Sequence, residues 1–320
     1  MSFTTRTWSA ACAVLMIAVG AQANAALLVY EPFDYAQNSE ITGKDGGAGF
    51  SAAWTGRANN LSNVPAGSTS VQGASLAHPT LPGSLPTVGG SALLTGANGT
   101  SQPAREFSAA AVSAINNAST VWISFLAQRQ GTPNPDWNGG VNQWPRGTNV
   151  SLFDIAADDE KTGVGNSSSA SDNTWSIIPD GGGGNREGAY SPAGGVAGGG
   201  PDTPGASPFP FEELQWVVLR IDYDQPGGED MYMWLSPDPG SEPSLATADA
   251  QVLAGDVNYR TLEGITGLRP FLGNESPGSA DPNTWRPAGV LAFDEFRVGT
   301  AYADMTATRV VPEPMSLAMA

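Results

Sequence analysis

The chain has 320 residues, with 31 acidic and 14 basic side chains that give a formal net charge of −17. This balance excludes nucleic acid as a partner, because phosphate neutralisation requires clustered Lys and Arg. The 40 glycines and 25 prolines predict many turns and long loops, whereas a hydrophobic fraction of 40% is enough to build a core. The length is compatible with one large all-β domain.

The N-terminal segment 1–25 has the layout of a secretory signal peptide. A positive charge at Arg6 is followed by an apolar run over 10–21 and by the small-residue ending Ala23-Asn24-Ala25. We therefore expect export of the protein, with residues 26–308 forming the mature domain.

The first strand of the mature chain is expected within 27–35, an apolar run that leads into Glu31. A glycine-rich segment with Phe50 and Trp54 then returns toward the sheet. The stretch 61–99 is rich in Ser, Pro, Gly and Thr and predicts short strands joined by turns.

Two strands and two long loops are predicted for the middle of the chain. The strands are expected at 120–130, where alternate side chains point to opposite faces, and at 149–156. Between them, a loop rich in Pro, Asn and Gly carries Trp137 and Trp144. The Gly/Pro-rich stretch 179–210 is expected to be a long excursion between strands, and a linker between two domains is the alternative.

The clearest secondary-structure signal is a hairpin within 213–238. Apolar side chains alternate with polar or aromatic ones along both halves, and the turn falls around 226–228. By contrast, 105–115 is compatible with either a strand or a short helix because it is rich in alanine.

The last predicted strand, within 290–299, carries the acidic step Asp294-Glu295 inside an apolar run. We expect it to pair with the opening strand and to close one domain around everything between them. The predicted fold is therefore all-β, a two-sheet antiparallel β-sandwich with long Gly/Pro-rich loops.

Three motifs support this fold: Glu-Pro-Phe-Asp-Tyr at 31–35, Gly-Gly-Ala-Gly-Phe-Ser-Ala-Ala-Trp at 46–54, and the closing Phe-Asp-Glu-Phe-Arg-Val-Gly-Thr-Ala-Tyr-Ala-Asp-Met at 293–305. Together with the hairpin, they resemble the secreted laminin-G-like, concanavalin A-type jelly-roll proteins of environmental bacteria. The resemblance covers most of the chain and implies one laminin-G-like sandwich over 26–308.

The C-terminal segment 309–320 contains a second resemblance. Val-Pro-Glu-Pro at 311–314, followed by small and apolar residues, is similar to the start of a bacterial PEP-CTERM sorting signal. The membrane helix and basic tail of such a signal do not follow, so the signal is either truncated or incomplete. The resemblance implies recognition by a sorting machinery and a cell-surface or matrix location, and a frayed proline-rich terminus is the alternative.

The resemblance also implies a structural calcium site. In the glucanase branch of the fold, the ion is held by an acid near the first strand, a carbonyl of the Gly-rich segment and the Asp of the last strand. The matching positions are Glu31, Gly46 or Gly47, and Asp294. Hard oxygen ligands suit an acidic chain with a single histidine. The alternative is that both carboxylates are solvated or paired with Arg297.

Few residues suited to catalysis are present. Cys12, the single cysteine, lies in the signal segment and His78 is the sole histidine, so thiol, serine–histidine and zinc chemistry are not expected. The Glu-x-Asp-x-x-Glu string of the glucanases does not occur, and the nearest carboxylates, Asp158 and Glu160, lead from a strand into a loop. We therefore predict a non-catalytic protein, and a divergent glycoside hydrolase is an alternative.

Aromatic side chains on the hairpin and its neighbour predict a glycan-binding face opposite the core, with two loop tryptophans at its rim. The predicted residues are Trp122, Trp216, Arg220, Tyr232, Trp234, Trp137 and Trp144. Packing of these aromatics beneath the long loops is the alternative. The sequence thus predicts a secreted or surface-sorted monomer that binds a polysaccharide or other glycan, or else a structural surface protein without a specific ligand.

Overall fold

The computed structural model describes residues 27–56, 68–81, 85–95, 100–130, 148–157, 159–166, 175–178, 213–225, 228–253, 264–273 and 289–307. Among these, no helix is long and apolar enough to cross a membrane. The predicted signal and sorting segments, Trp137, Trp144 and the stretch 179–210 lie outside the described residues.

Eight antiparallel strands form the larger sheet. They are β1 (Leu27–Glu31), β3 (Ser68–Gln72), β4 (Ser91–Thr95), β6 (Thr120–Gln130), β10 (Gln215–Gln225), β11 (Gly228–Leu235), β12 (Ala250–Val252) and β14 (Val290–Gly299). The order across the sheet is β12-β11-β10-β6-β14-β4-β3, and β1 pairs with β14 off this path.

The smaller sheet has six strands, again antiparallel. They are β2 (Thr55–Gly56), β5 (Pro103–Glu106), β7 (Thr148–Asp154), β8 (Asp159–Asn166), β9 (Ser176–Ile178) and β13 (Gly267–Leu272). Their order is β2-β5-β13-β7-β8-β9. The predicted all-β, two-sheet antiparallel jelly-roll sandwich is confirmed.

Alternation of side chains along the strands builds the core between the sheets. Val217 of β10 lies opposite Phe125 of β6, and Leu268 of β13 lies opposite Leu152 of β7. All four side chains are buried in one apolar cluster, which we call the inner core. The strands form here because every second residue is apolar and finds a partner on the facing sheet.

The stretch 105–115, for which the sequence was compatible with strand or helix, contains both. The chain leaves β5 and enters helix α1 (Ala109–Asn117), whose first turn is capped by Ser108. The Ser108 hydroxyl accepts a hydrogen bond from the Ala111 amide at 3.2 Å. Ala111 and Ile115, four residues apart on one helix face, are buried against the inner core.

The opening and closing strands pair as predicted, with Tyr30 opposite Arg297. A bulge interrupts β14 after Asp294, and Glu295 there has a left-handed φ of 54°. Phe293 and Phe296 both face the inner core although they are three residues apart, because the bulge adds one residue between them.

The opposite face of the larger sheet is also buried. A second apolar cluster, which we call the outer core, lies between this face and the segments that cross it. Its members are Leu85, Trp122, Leu126, Trp216, Val218, Tyr232, Trp234, Ala248, Tyr302 and Met305. The larger sheet is therefore buried on both faces, and the aromatic side chains of the outer core pack against the segments that cross it.

Candidate functional site

The predicted glycan-binding aromatics of the larger sheet lie in the outer core. Trp122, Trp216 and Trp234 are at most 2% exposed, and Tyr232 is 8% exposed. Trp122 stacks on Trp234 with ring centroids 5.7 Å apart and meets Tyr302 edge-on at 5.2 Å. These rings do not form the open face that the sequence predicted, because crossing segments cover them. The arrangement agrees with the alternative, in which these aromatic side chains pack beneath other segments of the chain.

Arg220, the remaining predicted residue of this face, lies at the rim of the outer core. Its guanidinium is 5.4 Å from the centroid of the Trp122 ring and forms ion pairs with Asp222 at 2.8 Å and Glu242 at 3.3 Å. The side chain is 21% exposed. Arg220 therefore has protein partners at the surface, in contrast to the buried rings beside it.

Glu31, the first predicted calcium ligand, is buried and receives its hydrogen bonds from protein groups. Its carboxylate accepts from the Phe33 amide at 3.0 Å, from the Tyr35 hydroxyl at 2.9 Å and from the Trp54 indole at 2.9 Å. Arg105 completes the set as an ion pair. Burial raises the pKa of Glu31, and the Arg105 guanidinium opposes that shift.

Asp294, the other predicted carboxylate ligand, lies on the opposite face of the same sheet. It accepts hydrogen bonds from the Ser75 hydroxyl and, at 2.8 Å, from the Leu76 amide. Asp294 is paired with Leu126 of the outer core, whereas Glu31 is paired with Phe296 of the inner core. Because directly paired residues share a face, the sheet separates the two carboxylates.

The two predicted glycines lie beside the first strand and the Tyr35 hydroxyl that donates to Glu31. The Gly46 amide donates to the Tyr35 hydroxyl at 3.1 Å, and Gly47 adopts φ 67° where a Cβ would lie 2.4 Å from the Tyr30 carbonyl oxygen. Across the described residues, no three His, Cys, Asp or Glu side chains are grouped to hold a metal ion. The predicted calcium ligands therefore do not fit a common ion, and Arg297 pairs with Glu295 instead of with either of them.

A polar surface stands out on the smaller sheet, on the side that faces away from the inner core. Strand pairing places Arg269 of β13 opposite Ser151 of β7, and Ser151 opposite Gly163 of β8. In the adjacent row, Phe271 lies opposite Asn149. These residues point outward because the alternate residues of the same strands belong to the inner core. We call this surface the Glu160–Arg269 face.

An ion pair between two aromatic rings forms the centre of this face. The Arg269 Nη2 atom lies 3.0 Å from Glu160 Oε2. The guanidinium is 4.1 Å from the centroid of the Phe153 ring and 5.2 Å from that of Phe271. Both rings therefore make a cation–π contact with the guanidinium.

Small polar groups and glycines surround this ion pair. The Ser151 hydroxyl donates to the second oxygen of Glu160 and lies 2.6 Å from Asn149 Oδ1. A Cβ added at Gly163 would lie 3.4 Å from atoms of both Asn149 and Glu160. Gly163 therefore leaves the position opposite Ser151 on this face without a side chain.

Exposure on this face is graded. Ser151 is fully buried and Glu160 is 5% exposed, whereas the Arg269 side chain is 12% exposed and Phe271 is half-buried. A ligand would reach the network from the side of Arg269 and Phe271. Its contacts would be the edge of the guanidinium, whose terminal nitrogens also donate to Glu160 and, at 3.5 Å, to Gln102, and the Phe271 ring beside it.

The glycoside hydrolase alternative requires two carboxylates about 5 to 10 Å apart. Of the two nearest acids in the sequence, Asp158 and Glu160, Asp158 lies outside the described residues. Glu106 shares a row with Glu160, but Gly267 and Phe153 stand between them. Three strand spacings correspond to about 14 Å, which is too long for that chemistry.

Sequence reasoning identified Glu160 but missed Arg269, Ser151, Asn149 and Phe271. The signal was present as polar residues at every second position, Asn149 and Ser151 in one strand and Arg269 in a separate Gly-Leu-Arg-Pro-Phe segment. Strand order was needed to show that these segments are neighbours, and a single sequence does not contain it.

Comparison with known proteins gives distant structural similarity only. No protein-family model matches the chain, and no curated protein matches it in sequence. A solved structure of the cellulose-induced protein Cip1 aligns at 14% identity over 76% of this chain and 90% of its own, with a TM-score of 0.38. An endo-β-1,4-glucuronan lyase from the fungus Trichoderma reesei aligns at 12% identity over 84% of this chain and 96% of its own, with a TM-score of 0.37.

A variant of the alginate lyase Aly36B in complex with an alginate trisaccharide also aligns, at 9% identity over 65% of this chain and 80% of its own, with a TM-score of 0.35. The prediction that the protein is not an enzyme rested on the scarcity of His and Cys and on the absence of the glucanase carboxylate string. Sandwich proteins similar to this chain include two polysaccharide lyases. That prediction is contradicted, and we do not retain it.

Proposed function

We propose that this protein binds a polysaccharide on the Glu160–Arg269 face. The observation that supports this proposal most directly is the Arg269–Glu160 pair, a partly exposed guanidinium on a buried carboxylate, held between two phenylalanine rings on the outward side of a sheet. The guanidinium can donate to the oxygens of a sugar ring, and the buried Glu160 carboxylate holds it in place. The Phe271 ring offers an apolar surface to the C–H face of such a ring.

Stability alone does not account for this arrangement. Removing two charges from water costs several kcal/mol per ion, and a well-packed apolar pair at the same place is often at least as stable. The inner-core side of the same strands shows that the chain supplies apolar residues where packing requires them. Unlike the fully buried Glu31–Arg105 pair, this pair has a partly exposed guanidinium on the outward side, which supports a role in recognition.

Export and surface sorting, predicted from the two terminal segments, complete the proposal. A secreted sandwich would meet polysaccharides at the cell surface or in an extracellular matrix, and it would act as a monomer. A structural surface protein without a ligand is the competing function, and the experiment below separates the two.

The test is retention of the purified protein on a panel of insoluble polysaccharides and on soluble polymers in affinity gels. We expect retention on at least one polymer, reduced about tenfold or more by Arg269→Lys, which keeps the charge but loses the planar fork. Arg220→Lys, on the other sheet, is the matched control and should bind like the wild type. Absence of retention on every polymer by a folded protein would favour the structural role.

Catalysis is measured in the same samples. Release of unsaturated or reducing sugar ends from the retained polymer is followed over time for the wild type and for Glu160→Gln. Release that Glu160→Gln abolishes while binding persists would place the carboxylate in a reaction. Retention without any release would describe a binding protein.

A further inference from the structure

A groove of about 390 Å³ lies at the edge of the outer core, away from the Glu160–Arg269 face. It forms where the chain leaves β11 after Leu235, turns at Ser236 with a left-handed φ of 54°, and returns toward β12. Its volume falls within the range of about 300 to 1,000 Å³ that is typical of small-molecule sites. One or two sugar rings are the matching size of ligand.

Hydrogen bonds from neighbouring elements hold the walls of this groove. The Tyr302 hydroxyl donates to the Asp238 carbonyl at 2.6 Å, and the Trp234 indole donates to the Ser244 carbonyl at 3.2 Å. On the far side, the Leu235 amide donates to Asp249 at 2.8 Å. The groove is therefore preformed, which reduces the entropy lost when a ligand binds.

The lining combines apolar walls with a strongly acidic character. The half-buried prolines Pro237 and Pro243 supply the apolar walls, and serine and threonine hydroxyls lie between them. Three carboxylates, on Asp238, Glu242 and Asp249, line the groove, and Arg220, which is not part of the lining, pairs with Glu242. Asp238 and Glu242 are exposed, so a bound ligand can reach both.

We propose that this groove binds an amino sugar, a hexose ring that carries a protonated amine. The carboxylates match the positive charge, the hydroxyls match those of the ring, and the proline walls match its apolar face. Glu242 already pairs with Arg220 at 3.3 Å, so a neutral sugar leaves Asp238 without a counter-charge, and an acidic sugar is repelled by the acidic lining. The Glu160–Arg269 face has the opposite chemistry, because its most accessible charge is Arg269.

The probe is a glucosamine tetramer, compared with the N-acetylglucosamine tetramer of equal length and without charge. Titration calorimetry on the purified protein should show binding of the glucosamine tetramer, weakened about tenfold or more by the double variant Asp238→Asn/Glu242→Gln. The N-acetylated tetramer should not bind. Asp34→Asn, an exposed carboxylate elsewhere on the chain, is the matched control for the general attraction of a cation to an acidic protein.

Four outcomes would overturn the inference: no binding of the glucosamine tetramer, equal binding of both tetramers, equal binding by the double variant, or equal binding of tetralysine with the same sensitivity to the double variant. The last result would identify a general cation site instead of a sugar site. The inference is independent of the proposed function, since Arg269→Lys should leave glucosamine binding unchanged. Failure at one site is thereby distinguishable from failure at the other.

Discussion

Arg269 and Glu160 meet across the strand β7 that separates them, with Nη2 of one 3.0 Å from Oε2 of the other. Ser151 of the intervening strand donates a hydrogen bond to the same carboxylate. The pair thus joins three adjacent strands on the outward side of the smaller sheet. Its position gives the proposed binding face a fixed centre that does not depend on loops.

Breaking this pair should reveal its desolvation cost. Arg269→Met leaves the buried Glu160 charge without its counter-charge and should lower the unfolding free energy by roughly 3–5 kcal/mol, whereas Glu160→Met leaves the partly exposed Arg269 and should cost less. The double variant should lose much less than the sum, because neither charge remains. Urea unfolding of the four proteins gives the coupling energy. Additive losses would contradict a direct interaction between the two side chains.

Asp294 predicts a pH dependence of stability. Burial, followed by the neighbouring Glu295 charge, raises the pKa of Asp294 to about 8, whereas an unfolded Asp titrates near about 3.9. The folded protein keeps a proton that the unfolded chain has lost between those values. This contribution is fully present below the unfolded pKa and is lost as pH rises through about 8, with a limiting slope of about 1.4 kcal/mol per pH unit.

Asp294→Asn is the variant that tests this dependence. Its absolute stability should fall, because an amide has one acceptor oxygen, whereas the Leu76 and Glu295 amides donate to different oxygens of Asp294. Its unfolding free energy should nevertheless vary less between pH 5 and 8, on the order of the slope above, than that of the wild type. Asp34→Asn, exposed on the first loop, should follow the wild-type profile. Parallel profiles for all three proteins would show that Asp294 titrates normally.

Gly163 and Gly165 of β8 differ in the space available for a side chain, so the same substitution can be compared at both. A Cβ at Gly165 would lie 2.2 Å from the Thr148 carbonyl oxygen, whereas at Gly163 the nearest atoms are 3.4 Å away. Gly165→Ala should therefore lower the unfolding free energy by roughly 2–3 kcal/mol, and Gly163→Ala should change it by less than about 1 kcal/mol. Thermal unfolding measures both. Equal losses would mean that the backbone relaxes at Gly165.

Trp216 should behave as a core residue. It is fully buried in the outer core and its ring lies 6.2 Å from that of Tyr302. Trp216→Ala should cost roughly 3–5 kcal/mol of unfolding free energy, measured by urea titration. Polysaccharide retention by the fraction that remains folded should be unchanged. A selective loss of retention with wild-type stability would restore the aromatic face that the sequence predicted.

Much of the fold could be predicted from local patterns. The alternation in β6, β10 and β11 and the apolar runs of β1 and β14 determined where strands form and that the termini of the domain pair. The same patterns did not predict the outer core, the second buried cluster on the other side of the larger sheet. Alternation shows that Trp216 and Val217 point to opposite faces, but it does not show whether other segments cover the side of Trp216.

The candidate site was only partly predictable for a related reason. The acidic step at Asp294-Glu295 and the acid at Glu31 were visible as isolated charges in apolar strands, and the structure pairs each with its own donors. The Glu160–Arg269 contact joins residues more than 100 positions apart. Only the order of strands in the smaller sheet brings them together.

Hydrogen–deuterium exchange of the purified protein, with and without a polysaccharide that retains it, tests the central claim most directly. Binding at the Glu160–Arg269 face should slow exchange of amides in β7, β8 and β13, and leave β10 and β11 unchanged. Arg269→Lys should remove that protection. Protection confined to β10, β11 and the segment 236–249 would contradict the claim and move polysaccharide binding to the other sheet.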